Sequence, residues 1–281
     1  MGVVLGLIVA LSFGSADFLG GRASRQASTV AVLLVGQIVA VGGALVVALL
    51  VGARVGLSDL ALGAAAGVAN MVGLGFLYQG LARARIGVVA PITAVMGAIV
   101  PVGWALARGE RPSSVVLIGA GCAIVAGALI ARERTEADTE RPVAAGVGYA
   151  IAAGTALGAS LVLFSETSHA SGFWPVAASR ISGLIAVALV FVVLARRKPI
   201  PLPQGVGRRL AVGAGALDVT ATTVLLAAVR HGLLVVVAPV AALAPAFTVM
   251  WAWIVLREPV SRTQLVGLTL ALVGLVLVSV G

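Results

Sequence analysis

Long apolar segments fill almost the whole of this 281-residue chain. A membrane-spanning helix needs about 20 mostly apolar residues, and ten segments of roughly that length are separated here by short polar loops. We predict spans at residues 2–20, 29–51, 60–82, 86–107, 113–131, 143–164, 173–194, 208–229, 233–255 and 262–280. Only 10% of the residues are charged, against about 25% in soluble domains. The sequence therefore predicts an all-α polytopic membrane protein.

The second half of the chain repeats the first at a shift of 148 positions. The shift places the segment Val88–Pro91 on Val236–Pro239. Further matches in the same register are Glu110 with Glu258, Ser113 with Ser261, Gly119 with Gly267, and Asn70 with Asp218. Each half holds five spans, an odd number, so the second half enters the membrane from the opposite side. We predict two inverted five-helix repeats, a common design of secondary transporters, whose binding site lies at the repeat interface.

Charged residues predict the domain boundary and the orientation. The longest polar run, 132–141, is the predicted charged linker between a first repeat at 1–131 and a second at 142–281. Of the 19 basic residues, 14 lie in loops that follow odd-numbered spans, four lie in the other loops, and Arg180 lies inside a span. Because cytoplasmic loops carry an excess of Lys and Arg, both termini are predicted to face outward from the cell (inner) membrane.

Several functional classes are excluded by what the sequence lacks. The basic residues form short clusters between apolar runs, so the net charge of +9 does not indicate nucleic-acid binding. No GxxxxGK[ST], HExxH or GxSxG motif occurs. We therefore expect neither ATP-driven transport by this chain nor an enzyme, and no cofactor or metal site.

Short motifs link the repeat to a known family. Pro91 lies early in the fourth span and Glu110 follows that span, and the same pair recurs as Pro239 and Glu258. The first span ends in the segment 12–21, SFGSADFLGG. In these features the chain resembles the EamA family of the drug/metabolite transporter superfamily. The resemblance implies a proton- or gradient-coupled carrier, or a facilitator, for small metabolites or amino acids, with spans 1–4 and 6–9 around a cavity and spans 5 and 10 outside it.

Ionisable side chains inside a bilayer cost about 2.5–3.5 kcal/mol on insertion scales, so they are candidates for function. Asp218, the repeat counterpart of Asn70, lies near the middle of the eighth span. It either binds protons or an amine, or forms a structural contact between spans. Arg180 in the seventh span either pairs with Asp218 or holds a substrate carboxylate by a bidentate hydrogen bond.

The other candidates are polar, aromatic or proline residues within the spans. Gln37 in the second span is a candidate substrate contact, and Tyr78 is a candidate for stacking on a substrate. Asp17, in the last turn of the predicted first span, either contributes to the site or pairs with Arg22 or Arg25. The predicted helix breaks, with a role in gating or as static kinks, are at Pro91, Pro239 and Pro245.

These predictions combine into a secondary transporter that works by alternating access. We expect it to export small metabolites, with amino acids or related zwitterions as candidates, and to be proton-coupled. The expected partners are a small-molecule substrate, the lipid bilayer and protons, and the expected state is a monomer or homodimer. The alternatives are a non-transporting assembly protein, which predicts a tightly packed centre, and a lipid flippase, which requires a lateral opening between spans.

Overall fold

A computed structural model of the chain describes residues 2–83, 86–131, 143–257 and 260–280, with the side chains of 78, 81–83, 86–88 and 143–145 outside that description. The described residues form α-helices and no β-strand. The helices are α1 (Gly2–Ser24), α2 (Thr29–Val51), α3 (Leu57–Arg83), α4 (Ile86–Ala107), α5 (Ser114–Ile130), α6 (Val143–Ser165), α7 (Trp174–Ala195), α8 (Gly205–His231), α9 (Leu234–Ala241), α10 (Ala244–Trp251) and α11 (Arg262–Val280).

The helices have the length and composition of membrane spans. Within the described ranges, nine spans satisfy both criteria, with α9 and α10 joined as one span, and α5 is a shorter apolar helix. The 17 residues of α5 still suffice to cross a thin or locally adapted bilayer. The prediction of an all-α polytopic membrane protein is confirmed. The predicted linker, 132–141, lies outside the described residues, so the domain boundary stays a prediction.

The helix packing is preserved when the two halves are exchanged. Helix α1 packs against α8 as α6 packs against α3, and α2 packs against α8 as α7 packs against α3. The pairs α2–α7 and α5–α11 join corresponding helices of the two halves. This is the arrangement expected of inverted repeats.

Two glycines related by the 148-residue shift allow the closest of these contacts. A Cβ atom on Gly67 of α3 would lie 2.2 Å from the main-chain oxygen of Ser179, and one on Gly215 of α8 would lie 2.3 Å from that of Gly36. Any larger residue would push the backbones apart, since small residues are what let membrane helices approach closely. The two contacts hold α3 on α7 and α2 on α8, around the centre of the molecule.

The prolines of the fourth span do not break it. Helix α4 continues through Pro91 and Pro101, so the break predicted at Pro91 is wrong. The helix packs so closely on α6 that a Cβ atom on Gly154 would lie 2.6 Å from the main-chain oxygen of Thr93. A neighbour at this distance supports the helix where a proline removes a hydrogen bond.

The ninth span is interrupted near its prolines, as the sequence predicts. Helix α9 contains Pro239 and ends at Ala241, whereas α10 starts at Ala244 with Pro245 in its first turn. Because proline is favoured at the first helical positions, Pro245 begins a new helix here.

Two details at helix ends bear on the sequence predictions. A capping box begins the last span: Ser261 N donates to Gln264 Oε1 at 2.9 Å, and Gln264 N donates to Ser261 Oγ at 3.2 Å. Helix α1 is one turn longer than predicted and ends at Ser24. Asp17 therefore lies about two turns inside the helix, not in its last turn, and the span boundary predicted at residue 20 is wrong.

Candidate functional site

A central cavity lies between the two repeats and consists of two lobes. One lobe of about 470 Å³ and one of about 380 Å³ share part of their walls. The shared lining residues are Asp17, Gln37, Asn70, Met71, Leu74 and Arg180. The lobes therefore form one continuous space, bounded by α1, α2, α3 and α7.

The lobes extend in different directions. The smaller, which we call the mouth lobe, is lined by Ser24 at the end of α1 and Thr29 at the start of α2, so it reaches the turn between these helices. The larger, which we call the inner lobe, extends past Thr93 of α4, Phe164 of α6 and Ala238 of α9. Helices α5 and α11 contribute no lining residue to either lobe, as the family resemblance implies.

Arg180 pairs with Asp218 in the wall of the cavity. Its Nη1 atom donates to Asp218 Oδ2, and its Nη2 atom donates to Thr222 Oγ1. The Thr222 hydroxyl in turn donates to the main-chain oxygen of Asp218 at 3.0 Å. Asp218 and Thr222 stand one turn apart on α8, so a single guanidinium reaches both. Of the two arrangements left open by the sequence, the structure has the paired one.

Asp17, Gln37 and Asn70 line the same cavity. All three border both lobes, so the structure brings them together with Arg180. Asp17 makes no hydrogen bond or ion pair with any described residue, including the arginines predicted as its partners, although Arg25 has contacts of its own. Gln37 is only 6% exposed, and its Oε1 atom has no hydrogen-bond donor among the described residues.

The remaining predicted site residues are three prolines and Tyr78, and of the three prolines only Pro245 borders the cavity. Pro245 borders the inner lobe next to the interruption of the ninth span, whereas Pro239 is fully buried beside it. Pro91 borders neither lobe. The side chain of Tyr78 lies outside the described part of the structure, so its predicted contact with substrate stays a prediction.

The two ends of the molecule differ in how they are closed. The end of the molecule where α1, α3 and α7 end we call the basic face, and the opposite end, where α1 begins and α11 ends, we call the terminal face. A Cβ atom on Gly2 would lie 3.4 Å from the Cα atom of Gly232, which places the start of α1 beside the α8–α9 loop. The mouth lobe opens toward the basic face.

Arg230 crosslinks the loops of the terminal face. From the end of α8 it donates to four acceptors, all in the α6–α7 loop. The bonds are Nη1 to Gly172 O at 2.6 Å, and Nη2 to Ser168 O at 2.7 Å, Thr167 Oγ1 at 3.0 Å and Ser171 Oγ at 3.2 Å. The same loop is also bonded to the first turn of α3, because Ser168 N donates a hydrogen bond to Asp59 Oδ1 at 2.9 Å.

Glu110 closes the terminal face at a second point. Its carboxylate accepts hydrogen bonds from Leu234 N at 2.9 Å and from Val235 N at 3.1 Å. These are the first amides of α9, whose own N-cap, Leu233, offers no side-chain acceptor. A carboxylate at this position satisfies free amides and interacts favourably with the helix dipole. Its repeat counterpart, Glu258, lies outside the described residues.

Sequence reasoning missed part of this arrangement. Three threonines, Thr220, Thr222 and Thr223, follow Asp218 on α8, and of these only Thr222 borders the cavity. The four-residue spacing from Asp218 was the available signal, because it places both side chains on one helix face. The role of Arg230 had no comparable signal, since its acceptors belong to a loop almost 60 residues away.

Comparison with known proteins assigns the chain to a family. Residues 144–280 match the family described as "EamA-like transporter family". The chain belongs to the EamA-like transporter family. This family is part of the drug/metabolite transporter superfamily, so the resemblance drawn from the sequence is confirmed. The matched range lies within the predicted second repeat.

A solved structure supports the fold of this EamA-like protein along its whole length. The similar chain, titled only "Crystal structure of protein", superposes with a TM-score of 0.82 over 99% of this chain and 96% of its own, at 14% sequence identity. At that identity the likeness shows the fold alone. No curated protein matches the sequence. The family is one of membrane transporters.

Proposed function

We propose that this EamA-like protein is a secondary transporter that carries small organic metabolites through its central cavity by alternating access. One observation carries the proposal: the mouth lobe of the cavity reaches the α1–α2 turn at the basic face, whereas hydrogen bonds from Arg230 and Glu110 join the segments of the terminal face. A binding site at the repeat interface that reaches only one side of the membrane is one half of an alternating-access cycle.

The lining supports a substrate that is part polar and part apolar. Apolar side chains, among them Phe13, Leu77 and Leu161, form most of the inner lobe. The polar groups are the Arg180–Asp218 pair, Asp17, Gln37 and Asn70. A mostly apolar pocket with a few placed polar groups is typical of small-molecule sites. We propose metabolites that carry an amino group, with amino acids and related zwitterions as the first class to test.

Direction and coupling follow from charge. The basic residues of the loops favour a cytoplasmic basic face in a cell (inner) membrane. The cavity would then load from the cytoplasm, which supports export. Two carboxylates, Asp17 and Asp218, border the cavity with the single guanidinium of Arg180, so a proton and a cationic substrate would compete for them. This competition supports proton coupling. The proposed unit is a monomer or homodimer.

The two alternative functions require different structures at the centre of the molecule. A non-transporting assembly protein needs a tightly packed centre, whereas this one holds a cavity bordered by a few polar groups. A lipid flippase needs an opening to the side, and the mouth lobe extends toward the α1–α2 turn instead. Both observations support transport of a soluble metabolite.

Flux measurements in proteoliposomes test the proposal. The full-length protein is reconstituted, and uptake of labelled amino acids, amines and sugars is followed with and without a pH gradient. We expect a saturable flux of at least one amine-bearing compound. Flux should fall by about tenfold or more in Asp218→Asn and Arg180→Ala, because each change leaves its partner unpaired in the cavity wall. Equal flux from empty vesicles and protein-containing vesicles across the panel would overturn the proposal.

A pair of threonines on α8 supplies a matched control. Thr222 and Thr220 each donate to the main-chain oxygen four residues earlier, at 3.0 and 2.8 Å. Only Thr222 also accepts a hydrogen bond from Arg180. Thr222→Val should therefore reduce flux, and Thr220→Val should leave it unchanged. Equal flux from the two variants would show that the Arg180 contact has no part in transport.

A further inference from the structure

The charges that border the central cavity do not balance. Among the described side chains that line it, Asp17 and Asp218 are acidic and Arg180 is basic. The bilayer around these helices makes any uncompensated charge costly. One carboxylate therefore lacks a counter-charge when the cavity is empty of substrate.

The unbalanced carboxylate is Asp17. Arg180 is 7% exposed, and its two Nη atoms are already engaged by Asp218 and Thr222. Asp17 stands on a different helix, borders both lobes, and makes no hydrogen bond or ion pair with a described residue. Its carboxylate is thus the charged group available to a ligand.

A second acceptor in the cavity has no donor. Gln37 Oε1 is buried and lacks a hydrogen-bond partner in the described part of the chain. Gln37 borders both lobes, as Asp17 does. Buried acceptors without a donor are uncommon in proteins and call for an explanation. An ammonium group supplies both features, a positive charge for Asp17 and N–H donors for Gln37.

We propose that the ligand of this cavity is an organic monocation: a protonated primary or secondary amine on an apolar body, without a carboxylate. The proposal rests on the proposed transport function and names its substrate class. The ammonium group binds at Asp17 and Gln37, and the apolar body lies against the inner lobe. With such a ligand bound, the charges in the cavity sum to zero.

A zwitterion fits the same cavity less well. Its ammonium group neutralises Asp17, but its carboxylate adds a negative charge. The one unpartnered donor of Arg180 is Nε, and a carboxylate there would share a single guanidinium with Asp218. Either the cavity keeps an unbalanced charge or Asp218 loses its partner, and both are costly in a low-dielectric site. A neutral oxygen, such as a hydroxyl group, suits Arg180 Nε without that cost.

Binding of an amine and of its parent amino acid tests this inference. The probes are 2-phenylethylamine and phenylalanine, which share a side chain and differ in the carboxylate. Affinities are measured by isothermal titration calorimetry on the full-length protein in detergent, which avoids passive membrane permeation of the amine. We expect 2-phenylethylamine to bind at least about tenfold more tightly, because the carboxylate of phenylalanine either leaves an unbalanced charge in the cavity or takes Arg180 from Asp218.

Variants at Asp17 separate charge from shape. Asp17→Asn should weaken binding of 2-phenylethylamine by about tenfold or more, and Asp17→Glu should retain most of it. Glu166→Gln is the matched control, because it removes a carboxylate that lies outside the cavity and pairs with Arg108. It should leave affinity unchanged. Melting temperatures check that each variant is folded.

The outcomes for the inference and for the proposed function are distinct. Tighter binding of phenylalanine, binding of neither probe, or an amine affinity unaffected by Asp17→Asn would each overturn the inference. If amino acids then still cross proteoliposome membranes in a protein-dependent way, the transport function stands with a different substrate class. If no compound of the panel is transported, the proposed function fails whatever the binding data show.

Discussion

The two ends of the molecule are related by the repeat, yet they stand in different states. At the terminal face, Glu110 caps α9 and Arg230 crosslinks the α6–α7 loop. At the basic face, the mouth lobe of the cavity reaches the α1–α2 turn. Two halves with the same architecture thus form one end joined by hydrogen bonds and one end that the cavity reaches, and the proposed alternating access requires such an asymmetry.

The difference shows which contacts close an end. Most bonds from Arg230 and Glu110 join a side chain to main-chain atoms of another segment. Such bonds position whole loops and helix starts, and they can be broken one by one without unpacking the apolar helices. A closed end built in this way can open at modest cost, as a two-state element requires.

Thiol labelling should give the largest difference between the two ends. In a Cys122→Ala background, Gly21→Cys places a thiol at the mouth lobe, where a Cβ atom meets nothing within 4 Å. Val235→Cys places one at the closed end, where the native residue is 0% exposed. We expect a membrane-impermeant maleimide to label the first about a hundredfold faster, because labelling of the second requires local opening.

The same labelling sets the orientation. In right-side-out and inside-out vesicles, the Gly21→Cys variant should be labelled only from the cytoplasmic side if the basic face is cytoplasmic. Comparable rates at the two positions would contradict the open and closed ends. Labelling of the mouth from outside would overturn the predicted orientation.

Loss of the Arg230 guanidinium should have the next largest effect. Arg230→Ala removes all four hydrogen bonds to the α6–α7 loop. We expect a loss of stability of about 2–3 kcal/mol, since bonds to a charged donor are worth about 1.5–3 kcal/mol and those lost here act as a unit. The melting temperature in detergent should fall, and labelling of Val235→Cys should accelerate. Arg230→Lys keeps the charge but not the forked geometry, so it should lie between Ala and the native protein. Equal melting temperatures for all three would refute the crosslink.

The fold was largely predictable because membrane constraints are strong. Hydropathy predicted ten spans, and the 148-residue shift predicted two inverted halves. The close approach of the halves at Gly67 and Gly215 is seen only in the structure. The capping box at Ser261 is local, since both partners lie within one turn. The effect of each proline on its helix was not predictable: Pro91 leaves α4 intact, whereas the ninth span is interrupted before Pro245. Whether a proline interrupts a helix depends on the helices packed around it, and the sequence does not give that packing.

The candidate site was predicted in its members but not in its contacts. Asp218 and Arg180 were recognised as charges inside spans, and the structure joins them. The sequence left open whether they pair, because they lie 38 positions apart on different helices. The sequence also allowed Asp17 to pair with Arg22 or Arg25, because its helix was predicted one turn too short. In the longer α1, Asp17 lies inside the helix and borders the cavity.

Glu110 should contribute a smaller amount than Arg230 to the closed end. In Glu110→Gln the amide oxygen can accept from Leu234 N or Val235 N, but the NH₂ group cannot accept at all. We expect a loss of about 1–2 kcal/mol, the range of helix-cap substitutions, and a modest increase in labelling of Val235→Cys. Glu166→Gln is the control, because it changes the same group on the same face without touching α9. An equal change in both variants would show that charge, not the cap, is responsible.

The ion pair between Arg108 and Glu166 should contribute least. Arg108 Nη2 lies 3.3 Å from Glu166 Oε2, and the Arg108 side chain is 64% exposed. Glu166 also accepts a hydrogen bond from Trp104 Nε1 at 2.8 Å, so it keeps a partner when Arg108 is lost. Exposed ion pairs are worth about 0–1 kcal/mol, so Arg108→Ala should shift the melting temperature slightly and leave labelling of Val235→Cys unchanged. The shift should shrink further at high salt, since screening weakens the pair in the native protein. A loss as large as that of Arg230→Ala would mean that the closed end is held by surface charge, and the contrast between main-chain crosslinks and surface pairs would not hold.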